Sequence, residues 1–164
     1  MYEKMENHEA AVREYLKILG LECAVWHRSI ASRRTLDIIK KYGIRLSDED
    51  SLVLAGGLYY SGDYRQCSGI LNVLPGAAKD SVRGVKAENL LLRCLVREGR
   101  TAEALNRASK HEKKNEMEKA VADELWAAGR KRESLVIYQK LANGTGDAIA
   151  LDSLERLALY SAEN

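Results

Sequence analysis

The sequence predicts an all-α chain built from antiparallel helix pairs, and three observations predict it. Strong helix formers (Leu, Ala, Glu, Lys and Arg) dominate, Pro occurs once, at Pro75, and Phe is absent. Apolar residues recur at helical spacing along most of the chain. A short apolar pattern closed by glycine returns three times.

The elements follow in order. Val12, Leu16 and Leu19 share one helical face. Leu21, Val25, Trp26 and Ile30 continue at the same spacing, then Leu36, Ile38, Ile39 and Tyr42, with Gly43 as a C-cap. Ser47 followed by Asp48, Glu49 and Asp50 reads as an N-cap with acids in the first helical turn. Leu52, Val53, Leu54, Leu58 and Tyr59 make the next helix too apolar to be exposed. Ser61-Gly62-Asp63 could turn a β-hairpin, but Leu52 to Gly57 does not alternate, and Tyr64, Cys67 and Leu71 are spaced for a helix. The triplet therefore joins two helices.

That hairpin recurs. Eight residues before Gly62, Gly99 and Gly129 stand Leu54, Leu91 and Val121; seven before stand Ala55, Leu92 and Ala122. Four before each stands leucine (Leu58, Leu95, Leu125), and five after stand the small residues Cys67, Ala104 and Ser134. The glycines are 37 and 30 residues apart, close to the roughly 34-residue period of one class of helical-hairpin repeat. The aliphatics lie on one face of the first helix, the small residue admits the second helix closely, and glycine permits a left-handed turn. A hairpin alone leaves an apolar face bare, so neighbours are expected to stack.

These residues resemble the tetratricopeptide (TPR) pattern. Leu54, Ala55, Leu58, Gly62, Tyr64, Cys67 and Leu71 fit one repeat; Leu91, Leu95, Gly99, Ala104 and Leu105 fit a second; Val121, Ala122, Leu125, Gly129, Ser134 and Tyr138 fit a third. The signature tryptophan position holds Ser51, Glu88 and Glu118 instead. The resemblance implies a right-handed superhelix of stacked helix pairs, expected here as a single domain over 1–164 with about four hairpins and a terminal helix. Residues 23 to 64 further resemble the amino-terminal domain of the TPR scaffold subunits of the anaphase-promoting complex, the Cdc27 type in particular. The positions that carry it are Ala24-Val25-Trp26, Ser47 to Asp50, Leu52 to Leu54, Tyr59-Tyr60 and Ser61-Gly62. That resemblance implies a scaffold in a mitotic ubiquitin ligase, acting in the nucleus and cytoplasm, homodimeric through its first repeats and joined to other subunits.

Composition narrows the alternatives. A net charge of +2 is mild for a nucleic-acid binder, and Arg33-Arg34, Lys40-Lys41 and Arg130-Lys131-Arg132 read as solvated helix ends. No apolar run reaches membrane-spanning length, and Met1 to Ala11 does not read as a signal peptide. Cys23, Cys67 and Cys94 form no CxxC pair and are expected as free thiols in a reducing compartment. Cys23 and His27 have chelating spacing, but no further ligand completes a set. His8 and His111 read as solvated, and the run from Lys110 to Lys119 as a solvated face. Gly144-Thr145-Gly146 lacks the strand and lysine of a phosphate loop, and no nucleophile and base are paired. No enzyme activity and no cofactor are expected.

The candidate site is the inner wall of the superhelix: Leu52, Gly56, Tyr59 and Tyr60, then Arg93, Val96 and Arg97, then Asp123 and Trp126. Tyr59 and Trp126 either anchor a partner helix there or pack against a neighbouring repeat. Trp26, beside Ile30, reads as core packing, with a dimer contact as the sharper alternative. A monomeric adaptor that holds a peptide tail, with Asn89, Arg93 and Arg97 as a carboxylate clamp, is the rival reading. An RNA-binding helical repeat comes after it.

Overall fold

The computed structural model describes residues 7–21, 25–74, 81–144 and 148–163. Cys23, Ala24, Pro75 and the Thr145-Gly146 pair lie outside the described residues. Among the described residues the secondary structure is helical, with no strand. The chain divides into two compact units, Met1–Leu90 and Leu91–Asn164.

The first unit holds α1 (His8–Gly20), α2 (Val25–Tyr42), α3 (Asp48–Tyr60) and α4 (Tyr64–Val73), and α5 (Val82–Arg97) begins in it. Here α1 packs on α2 and α3, α2 on α3, and α3 on α4. The second unit takes the last turns of α5, then α6 (Thr101–Ser109), α7 (Lys114–Ala127), α8 (Lys131–Ala142) and α9 (Ala148–Glu163). There α6 packs on α7, and α7, α8 and α9 pack on one another.

The expected hairpin turn is present three times. Gly62, Gly99 and Gly129 have φ of 80°, 80° and 78°, left-handed values that cost a side-chain-bearing residue about 1–2 kcal/mol. Each turn closes with the same two backbone bonds. The glycine N–H donates to the carbonyl three residues back (Tyr59, Val96, Trp126), each at 3.0 Å. The next residue's N–H reaches the leucine four before the glycine: Asp63 to Leu58 at 2.9 Å, Arg100 to Leu95 at 2.8 Å and Arg130 to Leu125 at 2.9 Å. This is the Schellman closure, which satisfies carbonyls a helix end otherwise leaves bare. The twelve aliphatic and small positions around these glycines are all at most 2% exposed. Ser134 shows what the small residue does: its hydroxyl donates to the Ala122 carbonyl across the hairpin at 2.7 Å.

The start of the second helix is solved differently in different hairpins. Asp63 caps α4 by accepting the Gln66 N–H at 3.3 Å. Arg100 and Arg130 make no side-chain cap bond. Each instead pairs with a glutamate three residues on, Arg100 with Glu103 at 2.7 Å and Arg130 with Glu133 at 2.6 Å. Arg130 also donates to Thr101 at 2.9 Å, tying the two turns of the second unit together.

One crossing sets which residues of α2 face inward. A Cβ added to Gly57 of α3 would lie 2.7 Å from both Leu19 Cδ2 and Ser32 Oγ. The Leu19 and Ser32 side chains fill the space over Gly57, so α3 has no room for a side chain at this position. The buried face of α2 is Ala31, Ser32 and Thr35, with Leu36 and Ile38. Ser32 and Thr35 donate to the Arg28 and Ala31 carbonyls of their own helix, at 2.7 and 2.8 Å. The large pair Trp26 and Ile30 is on the solvent side, 61% and 50% exposed. Core packing of Trp26 is therefore corrected: the interior side of α2 is formed by Ala31, Ser32, Thr35, Leu36 and Ile38, and Trp26 lies outside it.

Gly57→Ala will lower stability by about 1–3 kcal/mol through overpacking. Gly56→Ala, with nothing within 4 Å of the added carbon, will raise it by up to about 1 kcal/mol through helix propensity. Urea midpoints of the two variants, compared with the parent chain, check the pair.

Candidate functional site

In the first unit the candidate residues separate by depth. Leu52 and Gly56 are half-buried on α3, and Tyr59 is buried. Its ring meets Tyr60 and Tyr64 edge-on, at centroid distances of 5.4 and 5.6 Å. Tyr59 is thus enclosed by its own unit. Tyr60 is 56% exposed, with the Arg28 guanidinium 4.9 Å from its ring centroid. Trp26 stacks on His27 at 3.6 Å.

In the second unit the candidates form an ion-paired wall. Glu124 of α7 has a side chain only 1% exposed. It accepts from Arg93 Nε at 2.7 Å and from Arg97 Nε. Arg93 and Arg97 are one turn apart on α5 and so reach the same carboxylate. Val96, between them in sequence, points inward and is buried. The proposed carboxylate clamp meets a physical objection here, because both guanidinium groups already hold a carboxylate of the chain.

Asp123 accepts the Tyr138 hydroxyl at 2.6 Å and Lys119 Nζ at 2.9 Å. Lys119 also pairs with Asp152 of α9 at 2.7 Å. Burial works against the Lys119 charge, but Asp152 and Asp123 outweigh it and hold the ammonium above the ordinary lysine value. Burial and the bond to Asp123 push the Tyr138 phenol well above its ordinary range. Trp126 is half-buried, edge-on to Tyr138 at 6.2 Å and Tyr160 at 6.1 Å, with Lys131 Nζ 5.0 Å from its ring centroid.

Other expectations change with the coordinates. His8 is half-buried and stacks on Tyr42 at 3.5 Å, so it is not solvated. The run from Lys110 to Lys119 is not uniformly solvated, because Met117 and Glu118 are buried and Glu118 accepts Lys140 Nζ at 2.6 Å. Arg33-Arg34 sits in the middle of α2 and not at its end. Pattern reading missed Glu118, Glu124, Lys119 and the two Arg–Glu turn pairs. The repeated Gly-Arg-x-x-Glu at 99–103 and 129–133 is the one sequence signal for the last of these.

Cys67 and Cys94 are both wholly buried. Among the described residues no group of three His, Cys, Asp or Glu side chains is placed to hold a metal ion. Among them also, no helix is long and apolar enough to cross a membrane. No protein-family model matches the sequence, and no curated protein or solved structure matches the chain.

Two outcomes are expected. Glu124→Gln will cost about 2 kcal/mol in urea denaturation, because two partly buried cations lose their shared anion; Arg93→Gln will cost less than half of that, since Arg97 still pairs the carboxylate. For Tyr138, the folded state keeps its proton after the unfolded chain releases it near pH 10. Its contribution is complete below that pH and declines above it, so urea midpoints between pH 9 and 11 will fall less steeply for Tyr138→Phe than for the parent.

Proposed function

We propose that this chain is a non-catalytic protein–protein interaction scaffold, a TPR-like right-handed superhelix of stacked helix pairs that self-associates through its amino-terminal repeats. The observation that carries this reading is the threefold recurrence of one hairpin: an exposed left-handed glycine, a buried leucine four before it accepting the closing bond, and a buried small residue five after it. Repeats of this kind shelter one another's apolar faces and leave long surfaces for other proteins.

The resemblance of residues 23 to 64 to anaphase-promoting-complex scaffold subunits gives the reading its particular form. It is a homodimerising module within a multisubunit ubiquitin ligase, in the nucleus and cytoplasm. Each unit offers its own accessible candidates for a partner: Leu52, Gly56, Tyr60 and Trp26 in the first, and Arg93, Arg97, Asp123 and Trp126 in the second. Tyr59 and Val96 support those surfaces from beneath.

Light scattering across a micromolar concentration series will give the mass of two chains, and Tyr60→Glu will shift it toward one. A single-chain mass throughout the series overturns self-association.

A further inference from the structure

The outward stripe of α2 changes character along its length. With Arg28 directed at α3, where it covers the Tyr60 ring, helical geometry puts Trp26 and Ile30 about 160° away, on the opposite side. From there the stripe runs through Arg33 and Asp37 to Lys40 and Lys41, all exposed. One end is apolar and the other basic, over about 22 Å at 1.5 Å per residue.

The basic end carries one acid, Asp37, four residues from both Arg33 and Lys41, and its cations outnumber it. Arg33, Arg34, Lys40 and Lys41 form no ion pair among the described residues; Lys40 donates to the neutral Gln66 at 3.2 Å, and Lys41 lies 5.1 Å from the Tyr42 ring centroid. By contrast, Arg93, Arg97 and Lys119 each meet a carboxylate of the chain.

We infer that this face docks an acidic amphipathic segment of another protein, its apolar anchor against Trp26 and Ile30 and its carboxylates along Arg33 to Lys41. Charge selects this occupant. A second copy laid along the same stripe would bring identical cations and meet like-charge repulsion, so a dimer contact at Trp26 would have to leave Arg33 to Lys41 free. A phosphate-rich surface would meet Asp37 at the centre of the stripe, whereas a peptide can place a cation or a gap there. A large apolar anchor within a polar rim is also how helical protein ligands are held. The inference rests on the reading of the chain as an interaction module, but not on its self-association.

The test is selection of displayed random 16-residue peptides on the full chain, with affinities of the winners read by fluorescence anisotropy. Enriched peptides will combine a Trp, Phe or Leu anchor with several Asp or Glu, and will weaken at least tenfold on Trp26→Ala and on the double variant Arg33→Glu, Lys41→Glu. Affinity will fall as salt rises. Winners without an acidic excess, or with affinity unchanged on both variants, overturn the inference. So does tighter binding of poly-uridine RNA or phosphatidylserine vesicles that the double variant abolishes. Light scattering of the double variant separates the two readings. A monomer that still selects acidic peptides retires self-association alone, while a dimer that selects none retires this face alone. A dimer dissolved by the charge reversal assigns the face to a second copy and overturns the inference.

Discussion

The structure depends on a tight left-handed turn closed onto a leucine. At Gly62, Gly99 and Gly129 the chain reverses within a few residues, and the N–H after the glycine is returned to the carbonyl of Leu58, Leu95 or Leu125. That bond fixes where the first helix stops, and the stop fixes the angle at which the second helix leaves. The side chain of the same leucine is wholly buried, so one residue ends the helix through its backbone and fills the core through its side chain. Replacement of the glycine by a residue with a Cβ strains the turn.

Around these turns, polarity inside the second unit is managed by α7. It carries two nearly inaccessible carboxylates that face opposite neighbours, Glu118 toward Lys140 of α8 and Glu124 toward Arg93 and Arg97 of α5. Such pairs contribute little net stability relative to apolar replacements, but breaking one is expensive. They penalise any misplacement of α7 in which a carboxylate would be buried alone. Asp123 and Lys119 extend the arrangement to α9 through Asp152.

Much of this was legible from the residues. The three turns, the small positions at Cys67, Ala104 and Ser134, and the N-cap at Ser47 follow from local rules of backbone geometry and capping, and the coordinates show them. Trp26 was not legible, because spacing gives the period of a helix but not which side faces in. In α2 that side was chosen by Gly57, 25 residues downstream from Ser32, through a contact that favours serine over tryptophan. The ion-paired wall was equally hidden: a glutamate inside an aliphatic run is read as solvent-facing unless its arginine partners are placed first. Arg93 and Arg97 are expected on the inner wall, with a carboxylate clamp as the rival reading, and the carboxylate they hold is Glu124 of the chain itself.

Short connections also bear on how the chain reaches this structure. A reversal of three residues closes with little loss of loop entropy, and helix elongation takes nanoseconds per residue. Each helix pair can therefore assemble from its own stretch of polypeptide, before distant segments meet. Chains dominated by such near-neighbour contacts fold rapidly. The slower event is left to the joining of preformed pairs, where burial of Glu124 must await the arrival of its arginines.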